Sequence, residues 1–442
     1  MPDPPANLLE TLVSLCKRRG FVFQSSEIYG GLNAVYDFGP LGVRMRRRIR
    51  ELWWRDMVDL RDDVEGVEAA ILMNPKVWEA SGHLSNFSDP LVECLGKCKR
   101  RWRADQLEGT VCPECGGELG PARQFNLMFK TFFGPVEDEG AVVYLRPETA
   151  QGMFVNFRNV LASSRQRIPF GIAQIGRSFR NEISTGNFIF RLRELEMLEM
   201  EWFCEPDQDE RWYEYWCQER LRWHQSLGLV ADNLRLRPHG ENEKAHYALA
   251  SSDIEYRFPW GWGELEGIAR RSDYDLRRHQ EVSGRDLQYT DPASGARYLP
   301  YVVEPALGLD RTLLCLLLDA YSEEEVRGER RVVLRLSPQV APFQVAVLPL
   351  SKKAELVEPA RALEAELRRH FATEYDDTQS IGRRYRRQDE IGTPLAVTVD
   401  FQTLEDHAVT VRERDGMTQQ RVGTDHLVAA LRERLSVGGQ AS

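Results

Sequence analysis

GRSFRNEISTGNFIFRLRELEMLEME, residues 176–201, reads as a strand, a loop and a second strand. The first arm begins at PFGIAQIGRS and closes on Phe179-Arg180-Asn181-Glu182. After the loop ISTGN the chain returns as Phe188-Ile189-Phe190-Arg191-Leu192-Arg193-Glu194, with Glu196, Glu199 and Glu201 beyond it. Alternate side chains of a strand share a face, so Arg180 and Glu182 are expected to point the same way. Arginine forks match phosphate oxygens and stay protonated, so such a hairpin could grip a polyphosphate. The same residues could equally form surface ion pairs, and their spacing alone does not separate the two readings.

Further along, Gly308-Leu309-Asp310-Arg311 stands at the head of a strongly apolar helix within 305–321. Upstream, 7–19 reads as a short amphipathic helix. Residues 40–60 read as a longer one, opened by Pro40 after Gly39. A strand is expected over 67–73, stopped by Asn74-Pro75. Strand signals recur at 141–146, 170–176 and 188–203, and 210–228 looks helical. A break falls near Ser337-Pro338 and Ala341-Pro342. Beyond it, strands at 345–350, 395–400 and 409–412 alternate with helices at 354–371 and 424–435, the pattern of a compact α/β unit. Arg383, Arg384, Arg386 and Arg387 form either a solvated helix face or a phosphate contact.

Composition narrows the class. The 442 residues are 42% hydrophobic and 29% charged, which fits a folded chain with a real core, of about three domains by length. Lys plus Arg number 58 against 68 Asp plus Glu, a net charge of −10, which argues against a general polyanion binder but allows local basic patches. No apolar run nears the ~18 residues of a membrane span. The N-terminal stretch carries an acid and three prolines before its apolar part, the reverse of a secretory signal, so a cytoplasmic location is expected. GxxxxGK[ST], HExxH and GxSxG are absent, and Gly261, Gly263 and Gly267 miss the dinucleotide spacing by one residue.

Four of the eight cysteines cluster as Cys94-x3-Cys98-x13-Cys112-x2-Cys115-Gly-Gly. Two knuckles of this spacing suit tetrahedral Zn2+ held by four thiolates, with four free thiols as the alternative. Four protein ligands would close the coordination sphere, so the predicted role is structural.

The order of these elements resembles class II aminoacyl-tRNA synthetases. Residues 40–75 resemble their motif 1, about 170–203 motif 2, and about 304–321 motif 3. RRGFVFQSSEIYGGLNAVYDFGPLGV (18–43), QFNLMFKT (124–131), LRPETAQGMFVNF (145–157), GRSFRNEISTGNFIFRLRE (176–194), GELEGIA (263–269), EPALGLDR (304–311) and GRRYRRQDEIGTP (382–394) are similar to the homodimeric glycyl-tRNA synthetases. The resemblance implies an α+β catalytic domain over 1–338, an antiparallel sheet flanked by helices with a zinc-binding insertion at about 92–120. An α/β anticodon-binding domain over 342–442 would follow. It implies ATP with Mg2+, glycine and tRNA(Gly) as reactants, a homodimer, and no membrane.

By the same resemblance, Arg180, Glu182 and Arg311 are catalytic. ATP binding falls to these three with Asn181, Phe190, Arg191, Leu192, Arg193, Glu194, Leu195, Glu264, Leu265, Gly308, Leu309 and Asp310. Glycine binding falls to Arg103, Glu148, Leu195, Glu196, Met197, Leu198, Glu199, Glu304, Pro305, Ala306, Leu307 and Gly308. The chain departs from the family at Leu195, where a Phe usually stacks on adenine, and at Ala306, where a Ser usually lies in the glycine pocket. Two rival readings are a paralogue that activates another small amino acid for a non-tRNA acceptor, and a non-catalytic nucleic-acid-binding accessory protein. A C-terminal domain resembling an anticodon reader argues against the first, and the retained Arg180, Glu182, Glu264 and Arg311 against the second.

Overall fold

A seven-stranded sheet organises the first three quarters of the chain. In spatial order its strands are Leu234–Pro238, Ala250–Phe258, Gly261–Ser272, Tyr301–Gly308, Glu194–Cys204, Phe170–Phe179 and Val64–Gly66. Every neighbouring pair is antiparallel except the last, where Val64 pairs with Gly171 in parallel. The computed structural model describes residues 7–107, 109–183, 186–240, 243 and 247–437; Ser184 and Thr185 of the motif 2 loop, residues 1–6 of the expected catalytic domain and residues 438–442 of the expected anticodon-binding domain lie outside them.

The central strand Glu194–Cys204 shows how the sequence divides the sheet. Leu198, Met200 and Trp202 face one side and join a core with Leu12, Met45, Ile49, Trp53, Trp216 and Leu313. That side is covered by the helices Leu8–Arg19, Pro40–Trp54, Asp209–Ser226 and Leu309–Ala320. Met197, Glu199, Glu201 and Phe203 face the other side, as strand alternation requires. There Phe203 packs at 4.6 Å on Phe157 of the helix Ala150–Ser164, while the glutamates are left for a polar cavity.

Several expectations are corrected. The motif 1 strand is Val64–Gly66, not 67–73. Past Val67, the backbone partners of Ala69 are side chains: its carbonyl accepts from Arg146 at 2.8 Å and its N–H donates to Gln174 at 3.4 Å. Asn74 caps the helix Pro75–Ala80 by accepting from the Lys76 N–H. The Gly-containing start of 305–321 is a strand, Tyr301–Gly308, before the helix. Phe188–Phe190 is a single helical turn, and the second arm of the hairpin starts at Glu194.

The C-terminal quarter is a second sheet, ordered Thr373–Tyr375, Val345–Pro349, Leu395–Val399, Ala408–Glu413, Gln419–Gly423. The first two pairings are parallel and the last two antiparallel, with the helices Ala354–Leu367, Ile381–Ile391 and Leu427–Val437 packed around it. The sequence reading missed the strands at 373–375 and 419–423 and the helix at 381–391. Its arginines do not share one solvated face. Arg384 is buried and donates to the carbonyls of Pro349, Asp377, Thr378 and Gln379. Besides the two large sheets there is a small three-stranded one (Arg101–Arg103, Ser88–Glu93, Arg123–Asn126). Among the described residues, no helix is long and apolar enough to cross a membrane.

Candidate active site

A cavity of about 300 Å3 opens on the polar half of the large sheet. The strands Glu194–Cys204, Gly261–Ser272 and Tyr301–Gly308 form its floor, so the side chains that reach it follow the pleat. Leu195, Met197 and Glu199 line it, as do Glu304, Ala306 and Gly308, and Glu264. The register sets Glu199 directly across from Ala306. Phe190, Arg191, Leu192, Glu148, Arg180, Glu182, Asp310 and Arg311 complete the predicted residues found there.

The remaining predicted residues do not line the cavity. Glu196 sits on the opposite face, where its carboxylate accepts from Arg46 at 2.6 Å and Arg50 at 3.1 Å. Leu198, Leu265, Leu307 and Leu309 are buried in the core beneath the sheet. Pro305 alternates away with Leu307. Glu194 pairs with Arg177, and Arg193 donates to the backbone of Asn33 and Glu182, bracing the hairpin from outside. Asn181 is anchored through its N–H to the Leu127 carbonyl. Arg103 is paired with Asp89 at 3.0 Å and Asp105 at 2.7 Å. A contiguous motif places about half of its residues on the wrong side of a strand, which accounts for most of these corrections.

One end of the cavity is basic and aromatic. Arg311 lies 4.4 Å over the Phe190 ring and donates to the Glu264 carboxylate at 2.9 Å. The Arg311 charge holds the Glu264 carboxyl below its usual value. Phe190 meets Phe258 and Trp260 edge-on at 4.9 and 5.3 Å. Arg180 donates to the Pro147 carbonyl at 3.0 Å, which fixes its guanidinium at the cavity wall. The pairing of Arg180 with Glu182 on one strand face is replaced by an irregular turn after Phe179 that brings both to the cavity.

The other end is a nest of buried acids. Glu199 is 1% exposed and receives the Thr149 N–H at 2.6 Å and the Thr149 hydroxyl on the same oxygen. Burial and the neighbouring Glu148 raise its carboxyl. Burial also opposes ionisation of Glu148, but His83 at 3.3 Å, Arg271 and Gln151 pull its carboxyl well below the usual range. Arg271, buried in turn, donates to Glu304 at 2.8 Å and to Asp275. Beneath them Glu201 is fully buried, with neither carboxylate oxygen hydrogen-bonded. Burial and the Glu304 charge raise it well above the usual value. Burial, Glu199 and Glu148 likewise raise Glu304, to about 8. Both acids are thus held towards the protonated form, Glu304 with the opposing Arg271 contact and Glu201 without a hydrogen bond. The arrangement suits a small ammonium, which would add the positive charge that the nest lacks.

The sequence reading missed His239, Tyr247, Ser252 and Asp253, which also line the cavity. His239 approaches Asp253 at 2.8 Å. The alternation in ASSDIEYRF was the available signal, since it predicts Asp253 and Glu255 on one face of a strand.

Away from the cavity, the four clustered thiols converge. Their sulfurs all lie within 4.8 Å of one another, with Cys94–Cys115, Cys98–Cys112 and Cys98–Cys115 at 3.5 Å. Tetrahedral Zn2+ with Zn–S bonds of about 2.3 Å needs S···S separations of about 3.8 Å, so the set fits. Two glycines make the approach possible. A Cβ on Gly117 would come within 2.8 Å of Gly96 and 3.3 Å of the Cys115 sulfur.

Comparison with known proteins agrees with this geometry. A family model described as "tRNA synthetase class II core domain (G, H, P, S and T)" matches residues 133–321, and one described as "Anticodon binding domain" matches 344–434. The glycine–tRNA ligase of Treponema denticola is 51% identical over 97% of both chains. Those of Caldanaerobacter subterraneus subsp. tengcongensis and Thermobifida fusca are each 52% identical, over 97% of this chain and 98% of theirs.

Proposed function

As a member of the glycine–tRNA ligases, a family of class II aminoacyl-tRNA synthetases, the protein attaches glycine to tRNA at the expense of ATP; we propose how its residues divide that work. The near full-length identity to glycine–tRNA ligases carries the substrate assignment, and the acid nest beside a basic, aromatic wall supports the division of roles.

In the first step a glycine carboxylate oxygen attacks the α-phosphorus of ATP. The bond to the bridging oxygen breaks, pyrophosphate leaves and glycyl-adenylate remains. Two anions must meet, and charge builds on the α-phosphoryl oxygens, so fixed cations lower the barrier. Arg180 takes the α-phosphate and the glycine carboxylate. Arg311 takes the γ-phosphate and one face of adenine. Phe190 offers an aromatic surface beside it, which compensates for Leu195 where the family usually has Phe. Glu182 accepts from the adenine amine. Glu264, released from Arg311 when the nucleotide enters, is the carboxylate that would hold Mg2+, which would supply positive charge against the phosphates. In the second step a ribose hydroxyl at the tRNA 3′ end attacks the glycyl carbonyl and AMP departs.

Glycine offers no side chain to grip, so selection rests on its ammonium and on excluded volume. Glu148, Glu199 and Glu304 receive the ammonium through charge-assisted hydrogen bonds, the stronger kind. Ala306, opposite Glu199, removes one hydroxyl from the floor without opening much space.

The finer assignments complete the reading. Residues 1–338 form the catalytic domain and 342–442 the anticodon-binding domain. Cys94, Cys98, Cys112 and Cys115 hold one structural Zn2+. The enzyme is cytoplasmic and works as a homodimer, for which Ile28 and Tyr29, 88% and 86% exposed, are apolar surface in need of cover. Charging of total tRNA with labelled glycine tests the activity. Glycine incorporation that is alkali-labile and ATP-dependent is expected, and its absence from active-site-titrated enzyme would reject the assignment.

A further inference from the structure

The helix Leu8–Arg19 meets the helix Ile381–Ile391 where Arg19 donates to Glu390 at 2.6 Å, at the seam between the two large sheets. Beside this contact is a cavity of about 310 Å3 lined by Arg19, Gln379, Arg383, Arg386 and Arg387. Four of its five lining residues are arginines and none is an acid, in a chain whose net charge is −10. A larger groove of about 630 Å3 shares Arg386 and adds Arg18 and Arg330 together with Glu10 and Glu390; there Arg18 pairs with Glu390, and Arg330 with Glu323.

Structural duties do not account for all of these charges. Arg19 is paired with Glu390 and Arg387 with Asp376. Arg386 reaches only Asp389, at 3.8 Å, and that carboxylate is already bound by Arg331 at 2.7 Å and Arg412 at 3.0 Å. Arg383 is exposed and makes no ion pair or hydrogen bond among the described residues. Arg383 sits in the first turn of its helix, next to the positive end of the dipole, where a cation is disfavoured. A cation kept where local electrostatics oppose it and without a partner among the described residues, beside a second whose acid is already bound by two other arginines, indicates an anionic ligand.

We propose that this arginine cup seats backbone phosphates of the tRNA substrate at the seam between the two halves of the molecule. The proposal rests on the reading of the protein as a tRNA ligase. Guanidinium forks fit phosphate oxygens, and four guanidinium groups line this one cup. A substrate that serves both the catalytic cavity and the C-terminal sheet must cross the seam. On an acidic chain a local basic cup also gives the polyanion one preferred track.

The test uses the full-length enzyme and the double variant Arg383→Gln/Arg386→Gln. Glycine-dependent ATP–pyrophosphate exchange without tRNA should be unchanged, which also shows that the variant is folded. The KM for tRNA in charging should rise about tenfold, and the salt slope of tRNA binding should fall by about 1.5, the release expected for two lost phosphate contacts. Arg383→Lys/Arg386→Lys should restore the slope, because the charge returns. An unchanged tRNA KM and slope would overturn the proposal. So would tight binding of inorganic phosphate that the double variant loses while tRNA binding stays intact, since the cup would then serve a free anion. If exchange falls in the double variant, the single Arg383→Gln, at an exposed unpartnered side chain, carries the same test with a slope change of about 0.8. Failure of the wild type to charge any tRNA would instead reject the parent reading.

Discussion

Thr149 fixes Glu199 twice through one carboxylate oxygen: its N–H donates to Oε2 at 2.6 Å and its hydroxyl donates to the same atom. Thr149 stands immediately before the helix Ala150–Ser164, so the start of that helix sets the position of a glutamate at the cavity floor. Thr149→Val removes the hydroxyl and keeps the shape and the N–H. A hydrogen bond to a charged group is worth about 1.5–3 kcal/mol, so the KM for glycine should rise by about ten- to a hundredfold. The KM for ATP should barely move. Exchange kinetics with each substrate varied in turn check this, and equal changes in both constants would contradict it.

Arg180→Ala and Arg311→Ala should each abolish adenylate formation in a folded protein. Loss of a contact that stabilises developing charge costs about 3–4 kcal/mol in the transition state, or about 10²–10³ in kcat. Single-turnover formation of glycyl-adenylate measures this directly. Near-normal rates in either variant would remove that arginine from the mechanism.

Glu201 and Glu304 give a pH dependence of defined sign. Both carboxyls are raised in the folded protein above the usual value of 4.5, Glu304 to about 8. The contribution of Glu304 to stability is therefore fully present below pH 4.5 and is lost as the pH rises through about 8, and that of Glu201 has the same sign. Glu201→Gln copies the protonated acid and removes one titrating group. Its melting temperature should fall less than that of the wild type between pH 6 and pH 9, with exchange activity retained. Calorimetry of glycine binding near pH 7 in buffers of different ionisation enthalpy should show release of a fraction of a proton, reduced in the variant. A wild-type melting profile that is flat, or that improves with rising pH, would refute the protonated pair.

The cysteine cluster predicts one tightly held zinc per chain. Cys94→Ser should lose the metal and loosen the segment around 88–126, because metal–thiolate bonds supply folding energy in so small a unit. Metal analysis together with proteolysis of that segment tests it. Zinc-free protein with all four thiols freely alkylated under native conditions would exclude the site.

Ala306→Ser should sharpen the glycine-to-alanine ratio in exchange by a few-fold, by about 1 kcal/mol at most, as expected for one polar contact beside Glu199. Leu195→Phe should lower the KM for ATP and leave the choice of amino acid untouched. An altered amino-acid preference in Leu195→Phe would mean that this side chain meets glycine rather than adenine.

Much of the fold was legible because its signals are local. Pro40 and Gly39 mark a helix start, and the C-terminal alternation marks an α/β unit. The two glycine-bearing knuckles marked a thiol cluster that the structure brings together. What escaped depended on partners distant in sequence. The strand expected over 67–73 is interrupted at Ala69, whose backbone groups pair with Arg146 and Gln174. Arg384 reads as a surface charge, yet four carbonyls draw it inside. At the site, the charged residues at every second position of a strand were found, while their neighbours, such as Glu196 and Leu307, were assigned to the cavity although the pleat turns them away. Glu201 stood in the quoted hairpin from the outset, but a proton held on a buried acid has no signature in spacing.

The central claim is that this acid nest selects glycine, and ATP–pyrophosphate exchange over a panel of small amino acids tests it most directly. The account predicts that kcat/KM for glycine exceeds that for alanine and serine by about a hundredfold or more, since a methyl group must be forced into a closed floor. Faster exchange with alanine, serine or a non-protein amino acid than with glycine would contradict it.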